Sequence, residues 1–360
     1  MLNGDFVIDA VAHAYNFTPE NFREGKRSQK LAEMTYHGLH LGFQPRGDAR
    51  WALTEDGFYD ATDPVRLAHA FFEESQTDVC IYHSIPLYGL FKDGLSPLSV
   101  GKEMRELYPG RVLIYGGVSP WEDDVLATVD RLIQEDGISG LKVYPGDVID
   151  GKMADWRLDD PEIAFPIIER ARDQGIRNIA IHKAQPLGPV PMEPFEVRDI
   201  EGAAMAFPDV SFEVVHGGWA FLEETASQIA RFENVSVNLE CTTAYLIKAP
   251  RKFAQIVGEL LLADAEDRLM WATGAMLYHP RPYLEAFRDF QMPADMVEGY
   301  GYPELTDELK AKILAGNQAR LLGLDLDELK SELGTEEREL AEPWSGGDRE
   351  VSLAAAGGTV

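Results

Sequence analysis

Two rhythms of apolar residues alternate along this chain from near its start to about residue 322. Short runs of β-branched and aliphatic residues occur at Phe6–His13, Asp78–His83, Val112–Val118, Gly140–Tyr144, Asn178–His182, Ser211–His216, Val235–Glu240 and Leu269–Thr273. Their near-continuous hydrophobicity, as in Val79-Cys80-Ile81-Tyr82, predicts strands buried on both faces, the habit of a parallel sheet. Helical spacing fills the intervals. Pro64–Glu74 opens with Pro directly after Asp63, a good N-cap. Trp121–Gln134 gathers Val125, Val129, Leu132 and Ile133 on one face, and Pro161–Arg172 does the same with Ile163, Ile167, Ile168 and Ala171 before Gly175. This alternation predicts an α/β fold of the (β/α)8 TIM-barrel type, with Ile313–Leu322 as a helix against its outside. A doubly wound sheet is the second choice, weakened because no Gly-rich phosphate loop follows the first strand.

Two stretches depart from the rhythm. Residues 14–63 form a long insertion after the first strand, with a helical pattern at Lys30–Leu41 and the aromatics Phe43, Trp51, Phe58 and Tyr59. Leaving the end of a barrel strand, such a loop is expected to lie over the mouth as a lid, its aromatics walling a pocket. Residues 1–333 therefore read as a single barrel domain. Residues 334–360 are polar and then rich in Ala and Gly, which predicts a disordered tail or an arm on another subunit of a homo-oligomer.

Composition narrows the partners. The 360 residues carry 33 Lys+Arg against 61 Asp+Glu, a net charge of −28 that argues against nucleic acid and acidic membranes. Only Cys80 and Cys241 are cysteines, so no disulfide framework and no CxxC metal or redox motif exists. The first residues lack the pattern of a signal peptide and no run is long enough to span a bilayer, so the expected location is cytoplasmic.

The strand ends carry the candidate chemistry. In a barrel these ends meet at one mouth, and here they read His13, His83, Lys142, His182, His216 and Glu240. Two histidines with a carboxylate, or three histidines, and an open position suit Zn2+, with Fe2+ and Mn2+ as alternatives. His13, His182, His216 and Glu240 are the candidate metal ligands. His216, Glu240, Lys142 and His83 are the candidate catalytic groups: the first two to move protons, Lys142 to orient an anion, His83 to polarise a substrate. Each also has a structural reading, Lys142 for instance as the partner of Glu213. Cys241 beside Glu240 reads as a nucleophile or as inert packing. His37 and His40 read as solvated surface, and His279 as an exposed loop residue.

Ile8-Asp9-Ala10-Val11-Ala12-His13, Ile181-His182-Lys183-Ala184, Val215-His216-Gly217-Gly218 and Ile313-Leu314-Ala315-Gly316-Asn317-Gln318-Ala319-Arg320-Leu321-Leu322-Gly323, in this order, resemble segments of the amidohydrolase-related proteins. That group includes aminocarboxymuconate-semialdehyde decarboxylase and aromatic-acid decarboxylases. The resemblance spans roughly residues 5–325. It implies a TIM barrel holding a divalent metal, with His13 and His182 as ligands and His216 acting on substrate or bound water. Two departures accompany it. The position of the first-strand ligand is Val11, and that of the eighth-strand aspartate is Gly274. The implied function is metal-assisted hydrolysis or decarboxylation of a small, anionic organic acid, amide or lactone. The alternative is a barrel that has lost its chemistry, holds no metal and serves as a binding or assembly partner.

Overall fold

A computed structural model describes residues 4–23, 26–45, 48–60, 63–186, 190–334 and 338–342. Eight parallel strands run in the order β1 (Ile8–Ala12), β2 (Val79–His83), β3 (Val112–Val118), β4 (Gly140–Val143), β7 (Asn178–Ile181), β8 (Ser211–Val214), β9 (Val235–Asn238) and β10 (Leu269–Met270). Between β4 and β7 the chain makes an antiparallel hairpin of β5 (Gly146–Ile149) and β6 (Lys152–Asp155). Ala10 N donates to the Trp271 carbonyl, His13 N to that of Ala275, and Gly274 N to that of Val11, which closes the cylinder between its first and last strands. The expected TIM barrel is the observed fold. The helices follow the pattern too, at Pro64–Phe72, Val125–Gln134 and Ala164–Asp173.

The strands show why so many polar groups gather inside. Side chains alternate between the two faces of a strand. On β4, Leu141 and Val143 join the outer apolar layer beneath the helices, so Lys142 points inward. By the same count Phe212 and Val214 face out and Glu213 in, while Val237 and Leu239 face out and Asn238 and Glu240 in. The opposite, N-terminal end of the barrel is apolar, filled by Phe6, Ile8, Val79, Ile81, Ala180 and Met270. Ala315 and Ala319 pack into that same cluster, and the Asn178 amide donates to the Leu321 carbonyl. The helix at Asn317–Leu322 thus plugs the bottom of the barrel rather than lying against its outside. Its apolar face was legible; which barrel surface it covers was not.

Asp9 clasps the closing seam. Its carboxylate accepts from Val11 N (3.1 Å), Thr273 N (3.0 Å) and the Thr273 hydroxyl (2.6 Å), tying β1 to the segment after β10. Burial nevertheless pushes its pKa up to about 7. Beyond the barrel, Arg338 donates to the Thr77 carbonyl and sits 3.3 Å from Asp78, and Ala341 N donates to Glu73. The expectation for residues 343–360 falls outside the described residues. Among the described residues no helix is long and apolar enough to cross a membrane.

The clasp can be tested by removing one donor. Thr273→Val keeps the shape and deletes the hydroxyl, which leaves a buried carboxylate oxygen without its shortest bond. Urea denaturation should register a loss of about 1–3 kcal/mol, the usual cost of orphaning a buried acceptor. An unchanged midpoint would mean the seam does not depend on this bond.

Candidate active site

Four of the expected residues meet at the mouth. His13 Nε2 lies 3.4 Å from Glu240 Oε1, and His216 Nδ1 lies 3.5 Å from Glu240 Oε2. His216 Nε2 is 2.9 Å from His182 Nδ1. None of the four is more than 2% exposed.

Hydrogen bonds around the cluster fix the proton positions on the rings. A carbonyl oxygen only accepts. His13 Nδ1 is 3.0 Å from the His83 carbonyl, so Nδ1 carries the proton and a neutral His13 presents a lone pair to Glu240. His182 Nε2 is 3.1 Å from the Gln185 carbonyl, so that nitrogen donates and Nδ1 accepts. His216 must then donate from Nε2, which leaves the Nδ1 lone pair facing the other Glu240 oxygen. Burial, followed by Lys142 for His182 and by His182 for His216, holds both rings well below the ordinary histidine range and keeps them neutral. In their neutral forms the His13 and His216 rings turn two lone pairs toward the Glu240 carboxyl group. Among the described residues His216 Nδ1 and Glu240 Oε2 have no hydrogen-bond partner. Such a constellation attracts a cation, and the outward-facing N–H of each ring bonded to an acceptor is the usual support of a metal-ligating histidine.

Backbone strain supplies part of this geometry. Val215 belongs to the inner cluster, so simple alternation would turn His216 outward. His216 instead adopts φ +83°, followed by Gly217 and Gly218 at +61° and +83°. This left-handed turn swings the imidazole into the mouth at the cost of strain that non-glycine residues seldom carry. Gly274, also left-handed at φ +73°, lies across from Glu240: a Cβ there would sit 2.7 Å from both Cγ and Oε1 of Glu240. The glycine therefore vacates the space that the Glu240 carboxylate occupies. Val11, the other departure, is buried in the inner apolar cluster.

Lys142 and His83 lie deeper. Lys142 is fully buried; among the described residues its Nζ has no hydrogen-bond partner, and it stands 5.4 Å from the centre of the Tyr144 ring. Burial brings its pKa down to about 8 against the opposing pull of Glu240 and Glu213. His83 stacks on Tyr115 at 4.7 Å. Glu213, its pKa raised to about 7 by burial, accepts from the Asn238 amide at 2.5 Å.

Above the cluster a cavity of about 110 Å3 reaches Glu240, His216, His182 and Cys241. The insertion contributes Tyr15, Phe17, Leu31 and Leu39 to its wall, the β5–β6 hairpin Val148 and Met153. Phe43, Trp51, Phe58 and Tyr59 are not among the lining residues; Phe58 stacks behind Phe17 at 5.6 Å, and Trp51 packs on His279. Lys142 and His83 do not line it either, and among the described residues its charged lining is Asp147 and Glu240. Sequence reasoning missed Tyr15 and Tyr144, whose hydroxyls burial keeps protonated and which line the cavity as neutral donors. It also misjudged two histidines. His40 is buried, bonded to the Leu277 carbonyl and to Leu53 N, and His279 is half-buried with Nε2 2.8 Å from Glu74, which also holds His69 at 2.8 Å. His37 is exposed, as expected.

Comparison with known proteins agrees with this geometry. Residues 100–324 match the family model described as amidohydrolase. No curated protein matches the chain. Among solved structures, an uncharacterized TIM-barrel protein from Bordetella bronchiseptica is similar at 19% identity and a TM-score of 0.60, covering 88% of this chain and 98% of that one. A 5-carboxyvanillate decarboxylase from Novosphingobium aromaticivorans, with bound manganese and 3-methoxy-4-hydroxy-5-nitrobenzoic acid, is similar at 15% identity and a TM-score of 0.56, covering 89% and 98%. A 2,6-dihydroxybenzoate decarboxylase complexed with 2,6-dihydroxybenzoate gives 14% identity and a TM-score of 0.56, covering 89% and 100%. At these identities the likeness establishes the fold.

The buried acids carry a pH signature. A carboxyl whose pKa is higher folded than unfolded stabilises the protein below its unfolded value, and that contribution is lost as pH rises through the folded value. For Glu213 the window runs from about 4.5 to about 7. Glu213→Gln preserves the bond from Asn238 and removes the titration. Its stability should therefore fall less than that of the wild type between pH 5 and pH 8 in urea melts; parallel curves would contradict the assignment.

Proposed function

This chain belongs to the amidohydrolase family, and from that premise we propose that it is a metal-assisted enzyme that decarboxylates or hydrolyses a small organic acid, an aromatic carboxylic acid being the first candidate. The observation that carries the reading is the convergence of two imidazole lone pairs on the Glu240 carboxylate at the floor of an apolar cavity. The donors suit a divalent cation of the borderline class, Zn2+ first and Mn2+ or Fe2+ after it. The decarboxylases of similar fold, one of them carrying manganese and both carrying aromatic acids, are consistent with this choice.

Glu240, His216 and His13 would hold the ion. His182, with both ring nitrogens engaged, would stand behind His216 and fix its tautomer. When bound, the ion supplies a Lewis acid for a substrate carboxylate or lowers the pKa of water for hydrolysis. The protein's own groups do the rest. The insertion and the hairpin close over the substrate and exclude water, and the Tyr15 and Tyr144 hydroxyls donate to its oxygens. Decarboxylation breaks the bond to the carboxyl carbon, leaves the electron pair on the ring carbon and requires a proton there; hydrolysis requires one to be taken from water. Glu240, whose second oxygen stays available when the first is engaged, moves that proton. Lys142 and His83 act from beneath, Lys142 as a buried positive charge. The apolar wall selects a substrate with a flat, hydrophobic body.

Purified full-length protein, stripped with chelator and reloaded, tests the reading. Zn2+ or Mn2+ should raise the melting temperature of the wild type and leave that of Glu240→Gln unchanged. The loaded wild type should release carbon dioxide from hydroxybenzoates or open aryl lactones, with activity falling by at least about 100-fold in Glu240→Gln. A melting temperature indifferent to every divalent ion, with no turnover of either class, would replace this reading by that of a barrel retained for binding or assembly.

A further inference from the structure

We propose that Cys241 is a metal ligand, its thiolate joining Glu240 and His216 on one divalent cation, and that this donor set selects Zn2+ over Mn2+. The proposal rests on the metal reading above and adds to it a soft donor that the strand-end pattern does not contain.

Ligand atoms of His216, Glu240 and Cys241 all lie within 4.8 Å of one another. Ligands held tetrahedrally at ordinary zinc distances are separated by roughly 3.3–3.8 Å, so side-chain rotations that draw the atoms together by about 1 Å close the set around an ion. Two of the three bring buried atoms with unmet bonding capacity, His216 Nδ1 and Glu240 Oε2. Cys241 is 1% exposed and lines the same cavity as both.

The chain is bent to bring the sulfur there. Glu240 faces into the barrel, so an extended Cys241 would face away from it. Cys241 has φ +59°, and the chain turns at once into the short helical turn Thr242–Ala244. Thr242 and Thr243 anchor that turn on the His216 and Ala272 carbonyls at 2.9 and 3.1 Å. The two ligand-bearing turns, at His216 and Cys241, are thereby locked to each other and to the segment after β10.

The donor types decide the metal. A coordinating thiol is deprotonated by the cation itself. Thiolate with imidazole and a carboxylate suits Zn2+, and Mn2+ prefers oxygen donors. Thiolate coordination would also offset the two ligand positions occupied by Val11 and Gly274.

Cobalt substitution of the full-length protein reads this out without any assay of turnover. Stripped wild type titrated with Co2+ should bind about one equivalent and develop an intense near-ultraviolet sulfur-to-cobalt band. Cys80→Ser, which removes the other cysteine, should keep the band. Cys241→Ser should retain Co2+ and its visible bands, lose the sulfur band, and lose about tenfold or more of the preference for Zn2+ over Mn2+; Cys241→Ala replaces it if the serine variant does not fold. Co2+ bound by the wild type without a sulfur band, or a band surviving in the Cys241 variant, would overturn the thiolate ligand while leaving the metal reading intact. Failure of every form to retain Co2+ would overturn both.

Discussion

The side chain of Glu240, buried between the rings of His13 and His216, is the constraint around which the mouth of this barrel is organised. Burying an ionised carboxylate in protein costs several kcal/mol unless charge or hydrogen bonds offset it. The Glu240 backbone N–H donates to the Asn238 side chain, and among the described residues no donor reaches Glu240 Oε2. The nearby positive charge is Lys142, which is itself desolvated. A site so short of positive charge and so rich in lone pairs is built to receive a cation.

Much of the surrounding structure makes sense as support for that arrangement. Carbonyl oxygens of His83 and Gln185 set the tautomers of His13 and, through His182, of His216. The left-handed turns at His216 and Cys241 aim groups inward that strand alternation would aim outward. Gly274 leaves room for Glu240, and its left-handed backbone suits a residue without a Cβ. The Asp9 clasp on Thr273 fixes the strand end that precedes Gly274. Stability and function are thus linked through one seam.

The alternation of strand and helix was written plainly in the sequence, because strands buried on both faces and helices buried on one leave different periods. The inward direction of Lys142, His182 and Glu240 was legible for the same reason. His216 was found by its place in a His-Gly-Gly segment, although only the left-handed turn permitted by the following glycines brings it into the mouth. Other features depend on contacts between distant residues. His279 meets Glu74 across 205 positions, and nothing local to either residue announces that contact. Tyr15 and Phe17 lie in an insertion without strict periodicity, so which of its aromatics reach the cavity is decided by the packing of Phe58 and its neighbours behind them. Val11 and Gly274 read as losses in the sequence. In the folded chain Gly274 is better read as an exchange, since the space beside it holds the carboxylate of Glu240.

The central claim concerns where protons sit on three rings, and nitrogen-15 NMR of histidine-labelled, chelator-treated protein at neutral pH measures that directly. Long-range proton–nitrogen correlations, assigned with single His→Gln variants, distinguish the two neutral tautomers and the imidazolium. His216 and His182 should both be neutral with the proton on Nε2, and His13 should carry its proton on Nδ1. A proton found on His216 Nδ1, pointing at Glu240, would mean that the carboxylate is already satisfied by hydrogen bonding and that the mouth is not a cation site.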